Sequence, residues 1–105
     1  MQEPDPLQVF VVDDDPDTRA NLRDILEMDG HVVVEAGNAA ELWAKASSIK
    51  ADAILLDRHL PDAMGESLLP RLRESLPEAA ILIVTGYFDL DGAVAALRQG
   101  AVDYI

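Results

Sequence analysis

Short runs of aliphatic residues alternate with helix-like segments along the whole chain, and this alternation limits the folds that are open to it. Runs of this kind, rich in valine, isoleucine and leucine, are typical of buried strands. The five predicted strands cover residues 7–12, 31–35, 53–57, 80–85 and 102–105. Because a helical segment follows each of the first four, consecutive strands are expected to run parallel. The pattern predicts an α/β fold with a five-stranded parallel sheet covered on both faces.

Capping residues set the bounds of the first predicted helix. Asp15 is a good N-cap, Pro16 suits the first helical position, and Gly30 suits the position just after the helix end. Three apolar residues at helical spacing form its predicted inward stripe, namely Leu22, Ile25 and Leu26.

Three further helices are predicted. The second begins after Asn38, with Glu41 completing a capping box, and reaches about Ser48. Its predicted inward residues are Leu42, Trp43 and Ala46. The third begins near Ser67 as N-cap, so that Pro70 falls in the first turn, where proline is tolerated. The fourth covers residues 91–99. Four helices cover five strands unevenly, so we expect the fold to be about one helix short at its C-terminus.

Composition restricts the class of protein further. The 105 residues suffice for one domain, and 50% of them are hydrophobic, as in globular chains. Residues 1–6 lack the basic and apolar regions of a signal peptide, and no apolar run reaches the length of a membrane span. The absence of cysteine excludes disulfides and thiolate metal sites. These features predict a soluble cytoplasmic protein.

The chain is strongly acidic. Twenty acidic residues against eight basic ones give a net charge of −12, which repels nucleic acid and anionic membranes. We therefore predict no direct contact with nucleic acid or membrane, and any effect on DNA would require another domain or partner.

Acidic residues follow two of the predicted strands. Asp13 and Asp14 come directly after the first strand, and Asp57 ends the third. Ligands of parallel α/β sheets bind beyond the carboxyl ends of the strands, so these carboxylates are expected to lie close together. Such crowding is costly unless a cation binds between them. Oxygen ligands of this kind predict a Mg²⁺ site and point to phosphoryl chemistry.

A simpler interpretation of some of these acids is that they stabilise a helix N-terminus. We adopt it for Asp15 and Asp17, because acidic residues in the first turn interact favourably with the helix dipole. Asp57 taken alone fits a strand-end cap equally well. Its spacing to Pro61 and Gly65 favours a functional role instead.

Four motifs in order resemble the receiver domain of bacterial two-component response regulators. They are Val-Val-Asp-Asp-Asp-Pro at 11–16, Leu-Leu-Asp-Arg-His-Leu-Pro at 55–61 with Gly65 eight residues after Asp57, Ile-Val-Thr-Gly at 83–86, and Gly-Ala-Val-Asp-Tyr-Ile at 100–105. The resemblance covers essentially the whole chain. It implies a flavodoxin-like sheet with strand order 2-1-3-4-5.

The resemblance assigns roles to the strand-end acids. Asp57 would be the phosphoacceptor, attacking a phosphohistidine of a partner kinase. Asp14 and Asp57 would bind Mg²⁺ directly, together with the backbone carbonyl of His59, while Asp13 would act through water. On this basis the domain catalyses only its own phosphotransfer and dephosphorylation and is not an enzyme acting on an outside substrate.

Further roles follow from the same resemblance. Thr85 would hydrogen-bond a phosphoryl oxygen, and Tyr104 would be the aromatic residue that changes rotamer as Thr85 moves. Backbone N–H groups of Arg58 and Gly86 would complete an oxyanion cradle. The side chains of His59 and Tyr87 would tune dephosphorylation.

The resemblance also implies partners. These are a histidine kinase or histidine phosphotransfer protein as donor, a downstream effector domain or protein, and a second copy of the chain, since receivers often dimerise through their switching face.

Receivers carry a lysine two residues beyond the position of Ile105. We therefore expect residues 7–105 to be an incomplete receiver after a leader at 1–6, lacking the end of the fifth strand and the fifth helix. The only lysines, Lys45 and Lys50, are expected to lie too far from the site to substitute.

Two other functions stay open at this point. A pseudo-receiver would use the same fold only to bind partners; the acids Asp13, Asp14 and Asp57 argue against it, and the missing lysine argues for it. A Mg²⁺-dependent phosphatase with an aspartyl nucleophile normally needs an acid two residues after the nucleophile, where this chain has His59.

Overall fold

The structure, a computed structural model, describes residues 6–84 and the backbone of residues 103–104. Its strands are β1 (Gln8–Val12), β2 (Val32–Ala36), β3 (Ala53–Asp57), β4 (Ala80–Val84) and β5 (Asp103–Tyr104). They form one five-stranded sheet in the order β2-β1-β3-β4-β5, and every pair is parallel. The predicted α/β class and strand order are therefore confirmed.

The helices are α1 (Pro16–Met28), α2 (Ala39–Ala46) and α3 (Leu69–Ser75). The Asp15 side chain caps α1 by accepting from the N–H of Asp17, and the Asn38 side chain caps α2 by accepting from the N–H of Glu41. Gly30 follows α1 with a φ of +89°, a left-handed conformation that glycine adopts without steric cost. Among the described residues, none of these helices has the length and hydrophobicity of a membrane span. The predicted helix at 91–99 lies outside the described residues.

The sheet has an apolar core on each face. Alternate strand residues point to opposite faces, so each strand contributes to both cores. One core faces α1 and consists of Val9, Val11, Leu22, Leu26, Ala53, Leu55 and Leu82. The other faces α2 and α3, and its most deeply buried large members are Phe10, Leu42, Ile54, Leu56, Leu72, Ile81 and Ile83. This doubly wound arrangement leaves the carboxyl ends of β1 and β3 at one edge of the sheet.

One prediction about side-chain burial needs correction, and a second is refined. Ile25 was predicted to face inward, but it is 39% exposed while Leu22 and Leu26 are buried. Of the three, only Leu22 and Leu26, which are one full turn apart, face the sheet, so the contact stripe of α1 is narrower than predicted. Trp43 is half-buried at the margin of its core, and the Arg71 guanidinium lies 4.0 Å above the centre of its ring. This arrangement makes Trp43 part of a cation–π contact at the surface.

The third helix begins within one residue of its predicted start, but Ser67 is not its N-cap. A 3₁₀ turn over Gly65–Leu68 precedes α3, and Leu68 occupies the N-cap position without a side-chain hydrogen bond. The Ser67 hydroxyl donates instead to the carbonyl of Met64 at 2.6 Å. Pro70 does lie in the first turn of α3, as its missing N–H requires.

Candidate functional site

Three carboxylates converge at the carboxyl edge of the sheet. β1 and β3 are neighbours with Val12 opposite Leu56, so the residues that follow both strands lie side by side. One carboxylate oxygen from each of Asp13, Asp14 and Asp57 lies within 4.8 Å of the others. The structure therefore brings together the three acids that the sequence placed at strand ends.

Asp13 is the buried member of this cluster, with 6% of its surface exposed. Its main-chain N–H donates to the carbonyl of Ala36 at 3.0 Å, and its Oδ1 accepts from the N–H of Asp15 at 2.9 Å. Burial is the main cause of a raised pKa for Asp13, and the negative charges of Asp14 and Asp15 add to it. The ionised form is thus held in place by the fold at an energetic cost.

Asp57 ends β3 and is partly buried. Its Oδ1 accepts a hydrogen bond from the main-chain N–H of His59 at 3.1 Å. Burial, followed by the charges of Asp13 and Asp14, raises the pKa of Asp57 to about 6. Three oxygen donors whose mutual repulsion a cation relieves are the donor set that a hard divalent ion prefers. The site fits Mg²⁺.

The loop after β3 packs tightly against the site. The N–H of Gly65 donates to the carbonyl of Arg58 at 2.8 Å. A Cβ atom at Gly65 would lie 2.6 Å from the carbonyl oxygen of Asp57, closer than any side chain tolerates. Only glycine therefore allows the chain to fold back onto the end of β3.

The expected role of the Arg58 N–H in an oxyanion cradle does not hold in this structure. That N–H donates to the carbonyl of Val84 at 2.9 Å, as part of the last pair of the β3–β4 ladder, in which Asp57 lies opposite Val84. The neighbouring N–H of His59 is the one that meets the Asp57 carboxylate.

Two contacts near the site involve residues that the sequence did not single out. Arg19 Nη1 donates to the carbonyl oxygen of Asp13 at 2.6 Å. The Asp62 carboxylate accepts from the N–H groups of Ala39 and Ala40 at 2.8 and 3.0 Å, which ties the loop after β3 to the start of α2. The first contact spans 6 residues from a strand end to a helix and the second spans 22 to 23, so neither follows helical or strand spacing.

The remaining predicted site residues are only partly described. Thr85, Gly86 and Tyr87 lie outside the described residues. Tyr104 belongs to β5, where its backbone pairs with Ile83 next to the end of β4.

The two lysines lie in different parts of the fold. Lys45 Nζ donates to the carbonyl of Glu35 on β2, at 2.5 Å. Lys50 precedes β3 and lines a shallow cavity with Asp52 and Ser75 at the amino ends of the strands, opposite the acidic cluster. The placement of Lys50 fits the prediction that it lies too far from the site. For Lys45 this stays a prediction, because Glu35 precedes Ala36, whose carbonyl accepts from the N–H of Asp13.

A doubly wound α/β domain with three converging carboxylates at the carboxyl edge of its sheet, a group that could hold a metal ion, is the class that fold and site together define. The family model of the response regulator receiver domain matches residues 9–105 of the chain. The chain belongs to this family, as its motifs indicated.

Individual relatives agree with that assignment. The chain is 36% identical over 97 residues to the DNA-binding transcriptional regulator NtrC of Proteus hauseri, covering 92% of this chain and 20% of that protein. The chain therefore spans about a fifth of the length of this relative.

Solved receiver structures have the same fold. A response regulator from Burkholderia pseudomallei, with a phosphorylated aspartic acid, calcium ion and citrate, matches at 35% identity and a TM-score of 0.77, covering 95% of this chain and 58% of that one. The response regulator TrrA from Thermotoga maritima, in complex with Mg²⁺-BeF, matches at 26% identity and a TM-score of 0.75, covering 94% and 84%. Both relatives hold a divalent cation.

Proposed function

We propose that this chain is a phosphoacceptor receiver domain of a two-component phosphorelay, and that Asp57 accepts the phosphoryl group. The donor is a phosphohistidine on a histidine kinase or a histidine phosphotransfer protein. The observation that carries the proposal is the convergence of Asp13, Asp14 and Asp57 at the carboxyl ends of β1 and β3. The phosphorylated aspartic acid of the Burkholderia relative supports the same chemistry.

The proposed transfer is a direct displacement at phosphorus. An ionised oxygen of Asp57 attacks, the bond between phosphorus and the donor's imidazole nitrogen breaks, and that nitrogen keeps the electron pair and takes up a proton. The product is an acyl phosphate on Asp57. The N–H of His59, which already donates to this carboxylate, supplies a positioned donor beside the reacting oxygen.

The proposed metal ligands are side chains of Asp14 and Asp57 and the backbone carbonyl of His59, with Asp13 acting through water. The oxygen-rich cluster fits Mg²⁺, and the Mg²⁺ of the Thermotoga relative supports the choice. Bound there, the ion would offset the repulsion between the carboxylates and the incoming phosphoryl group. The residues of the chain hold the acceptor oxygen at the strand end and exclude water from its buried side.

Phosphorylation would act on the rest of the domain through charge. A phosphoryl group adds about 1.5 to 2 negative charges, enough to shift a two-state equilibrium. In this proposal Thr85 bonds a phosphoryl oxygen and Tyr104 changes rotamer in response. The altered face then binds a downstream effector domain or protein, or a second copy of the chain. We place the domain in the cytoplasm, where it contacts neither nucleic acid nor membrane directly.

Intact mass after incubation with acetyl phosphate and Mg²⁺ tests the proposal. We expect one phosphoryl group on the wild-type chain, lost on treatment with hydroxylamine, which cleaves acyl phosphates. Asp57→Asn and addition of a chelator should each abolish the adduct. Asp17→Asn, an exposed acid in the first turn of α1, serves as the matched control and should leave it unchanged.

The outcomes separate the functions considered above. No adduct, with Mg²⁺ binding demonstrated, would contradict the phosphoacceptor role and leave a partner-binding module. Continued turnover of a generic phosphate ester would favour an aspartyl phosphatase instead.

A further inference from the structure

Arg19 on α1 connects three parts of the chain around the acidic cluster. Its Nη1 donates to the carbonyl oxygen of Asp13 at 2.6 Å, and its Nε donates to Oε1 of Glu35 on β2 at 3.3 Å. Its own N–H donates to the carbonyl of Asp15, in the first turn of α1. The side chain is 23% exposed, so most of it is enclosed by these partners.

The space for the guanidinium depends on a glycine at the end of β2. A Cβ atom at Gly37 would lie 3.2 Å from Nη1 of Arg19. Glu35 also pairs with Arg23, whose Nη1 lies 3.2 Å from Oε2. Glu35 thus holds Arg19 in a fixed orientation and partly neutralises its charge.

The main chain of Asp13 is consequently held at both polar atoms. Its N–H is bound by Ala36 and its carbonyl by Arg19. With both atoms fixed, the direction in which the Asp13 carboxylate leaves the backbone is fixed as well. Hydrogen bonds to a charged donor are about twice as strong as neutral ones, so the Arg19 contact is the stronger of the two restraints.

We propose that Arg19 is a positioning residue of the cation site, which holds Asp13 through its main-chain carbonyl and so sets the geometry of the three carboxylates. This inference rests on the proposed function, since it assumes that the cluster binds Mg²⁺. In this proposal Arg19 acts on the cation site only through its hydrogen bond to Asp13.

Removal of the Arg19 side chain has two effects on Mg²⁺ affinity, and they act in opposite directions. A cation close to a metal site repels the ion, so loss of the Arg19 charge alone would strengthen Mg²⁺ binding. Loss of the restraint on Asp13 would weaken it. Partners that orient metal ligands contribute about 10- to 100-fold in affinity, and a contact one step further away contributes less. We expect the restraint to dominate, because Glu35 already offsets part of the charge.

The test is a Mn²⁺ titration followed by electron paramagnetic resonance, with Mg²⁺ as competitor, on the wild type and three variants. Arg19→Gln should bind both ions about 3- to 10-fold more weakly. Arg19→Lys keeps the charge but offers one donor nitrogen where the guanidinium uses two, so we expect a smaller loss. Arg23→Gln is the matched control, because Arg23 pairs with Glu35 but has no contact with Asp13; its affinity should stay within about twofold of wild type.

Urea unfolding of each variant without metal shows whether it is folded, and the spectral line shape of bound Mn²⁺ reports the geometry of the site directly. We expect a changed line shape for Arg19→Gln and an unchanged one for Arg23→Gln. Equal or tighter binding by Arg19→Gln, or an equal loss in Arg23→Gln, would overturn the positioning role. Failure of the wild type to bind either ion would overturn the proposed cation site itself. Should Arg19→Gln not fold, the comparison of Arg19→Lys with Arg23→Gln decides.

Discussion

The main-chain N–H of His59 lies 3.1 Å from Oδ1 of Asp57 and donates a hydrogen bond to it. A donor in this position favours the ionised carboxylate and lowers its pKa. Burial and the carboxylates of Asp13 and Asp14 nevertheless raise that pKa to about 6. At neutral pH the metal-free protein therefore carries an unfavourable charge at the residue proposed to receive the phosphoryl group.

Replacing Asp57 with asparagine should stabilise the metal-free protein at neutral pH. Because the pKa of Asp57 rises on folding from 3.8 to about 6, its contribution to stability is full below about pH 4 and is lost as the pH rises through 6. The whole shift corresponds to about 3 kcal/mol. Partial exposure to solvent reduces the expected gain in the free energy of unfolding for Asp57→Asn to about 1 kcal/mol. Urea unfolding in a chelator measures it.

The same experiment over a range of pH contains its own control. Near pH 4 the carboxyl is largely protonated in the folded protein, so the two chains should differ least there. A difference that stays constant from about pH 4 to about pH 8 would contradict the raised pKa.

Mg²⁺ should stabilise the wild type but not the Asp57→Asn variant, because it binds the folded state at the carboxylates. At a Mg²⁺ concentration 100 times the dissociation constant, the free energy of unfolding of the wild type should rise by about 2.7 kcal/mol. Asp14→Asn and Asp57→Asn should lose this increase, since each removes a proposed ligand. Thermal unfolding with and without Mg²⁺ measures the effect. Asp17→Asn should keep the full increase, and an equal loss there would indicate nonspecific screening by the salt.

Asp62 and Asn38 both accept hydrogen bonds at the start of α2, so mutations of the two residues should have coupled effects on the free energy of unfolding. Asn38→Ala should cost about 1 kcal/mol in the free energy of unfolding, as loss of an N-cap usually does. Asp62→Ala should also destabilise, because its carboxylate accepts from the N–H groups of Ala39 and Ala40. The two side chains hold the same helix end, so their effects should not be additive in a double-mutant cycle. Strict additivity would show that the contacts act independently.

Acid should weaken the Asp62 contact in a defined direction. Its hydrogen bonds from Ala39 and Ala40 lower the pKa of Asp62 below 3.8. The stability it contributes is therefore present above the ordinary pKa and is lost as the pH falls through the lowered one. The difference in unfolding free energy between wild type and Asp62→Ala should shrink in strong acid; a difference that grows there would contradict the assignment.

The sequence predicted the features that depend on local pattern. β3 and the Asn38 cap lie where spacing and residue type indicated, and the strand-end acids converge because adjacent parallel strands must end at one edge. The contacts of Arg19 with Asp13 and of Asp62 with α2 were not predictable, since they join segments 6 to 23 residues apart. Ser67 was misassigned because it lies inside a 3₁₀ turn that precedes α3, and such turns are frequent at the start of α-helices.

Gly65 provides a test of how closely the loop after β3 supports the site. In Gly65→Ala the new Cβ would lie 2.6 Å from the carbonyl oxygen of Asp57 and 3.2 Å from the Cα of Arg58, so the backbone must shift. We expect a loss of about 1 to 3 kcal/mol in the free energy of unfolding, as for other overpacked positions. Because the displaced atoms belong to Asp57 and its neighbour, Mg²⁺ affinity and phosphoryl acceptance should fall as well.

Gly30→Ala is the matched control for this prediction. Gly30 has a φ of +89° and open space around its Cα, so alanine there is strained without a clash. It should cost about 1 to 2 kcal/mol, comparable to Gly65→Ala. Mg²⁺ affinity should stay at the wild-type value, because Gly30 lies beyond the end of α1, away from the acidic edge. If both variants lost stability and neither lost Mg²⁺ affinity, the close packing of Gly65 on Asp57 would serve the fold alone.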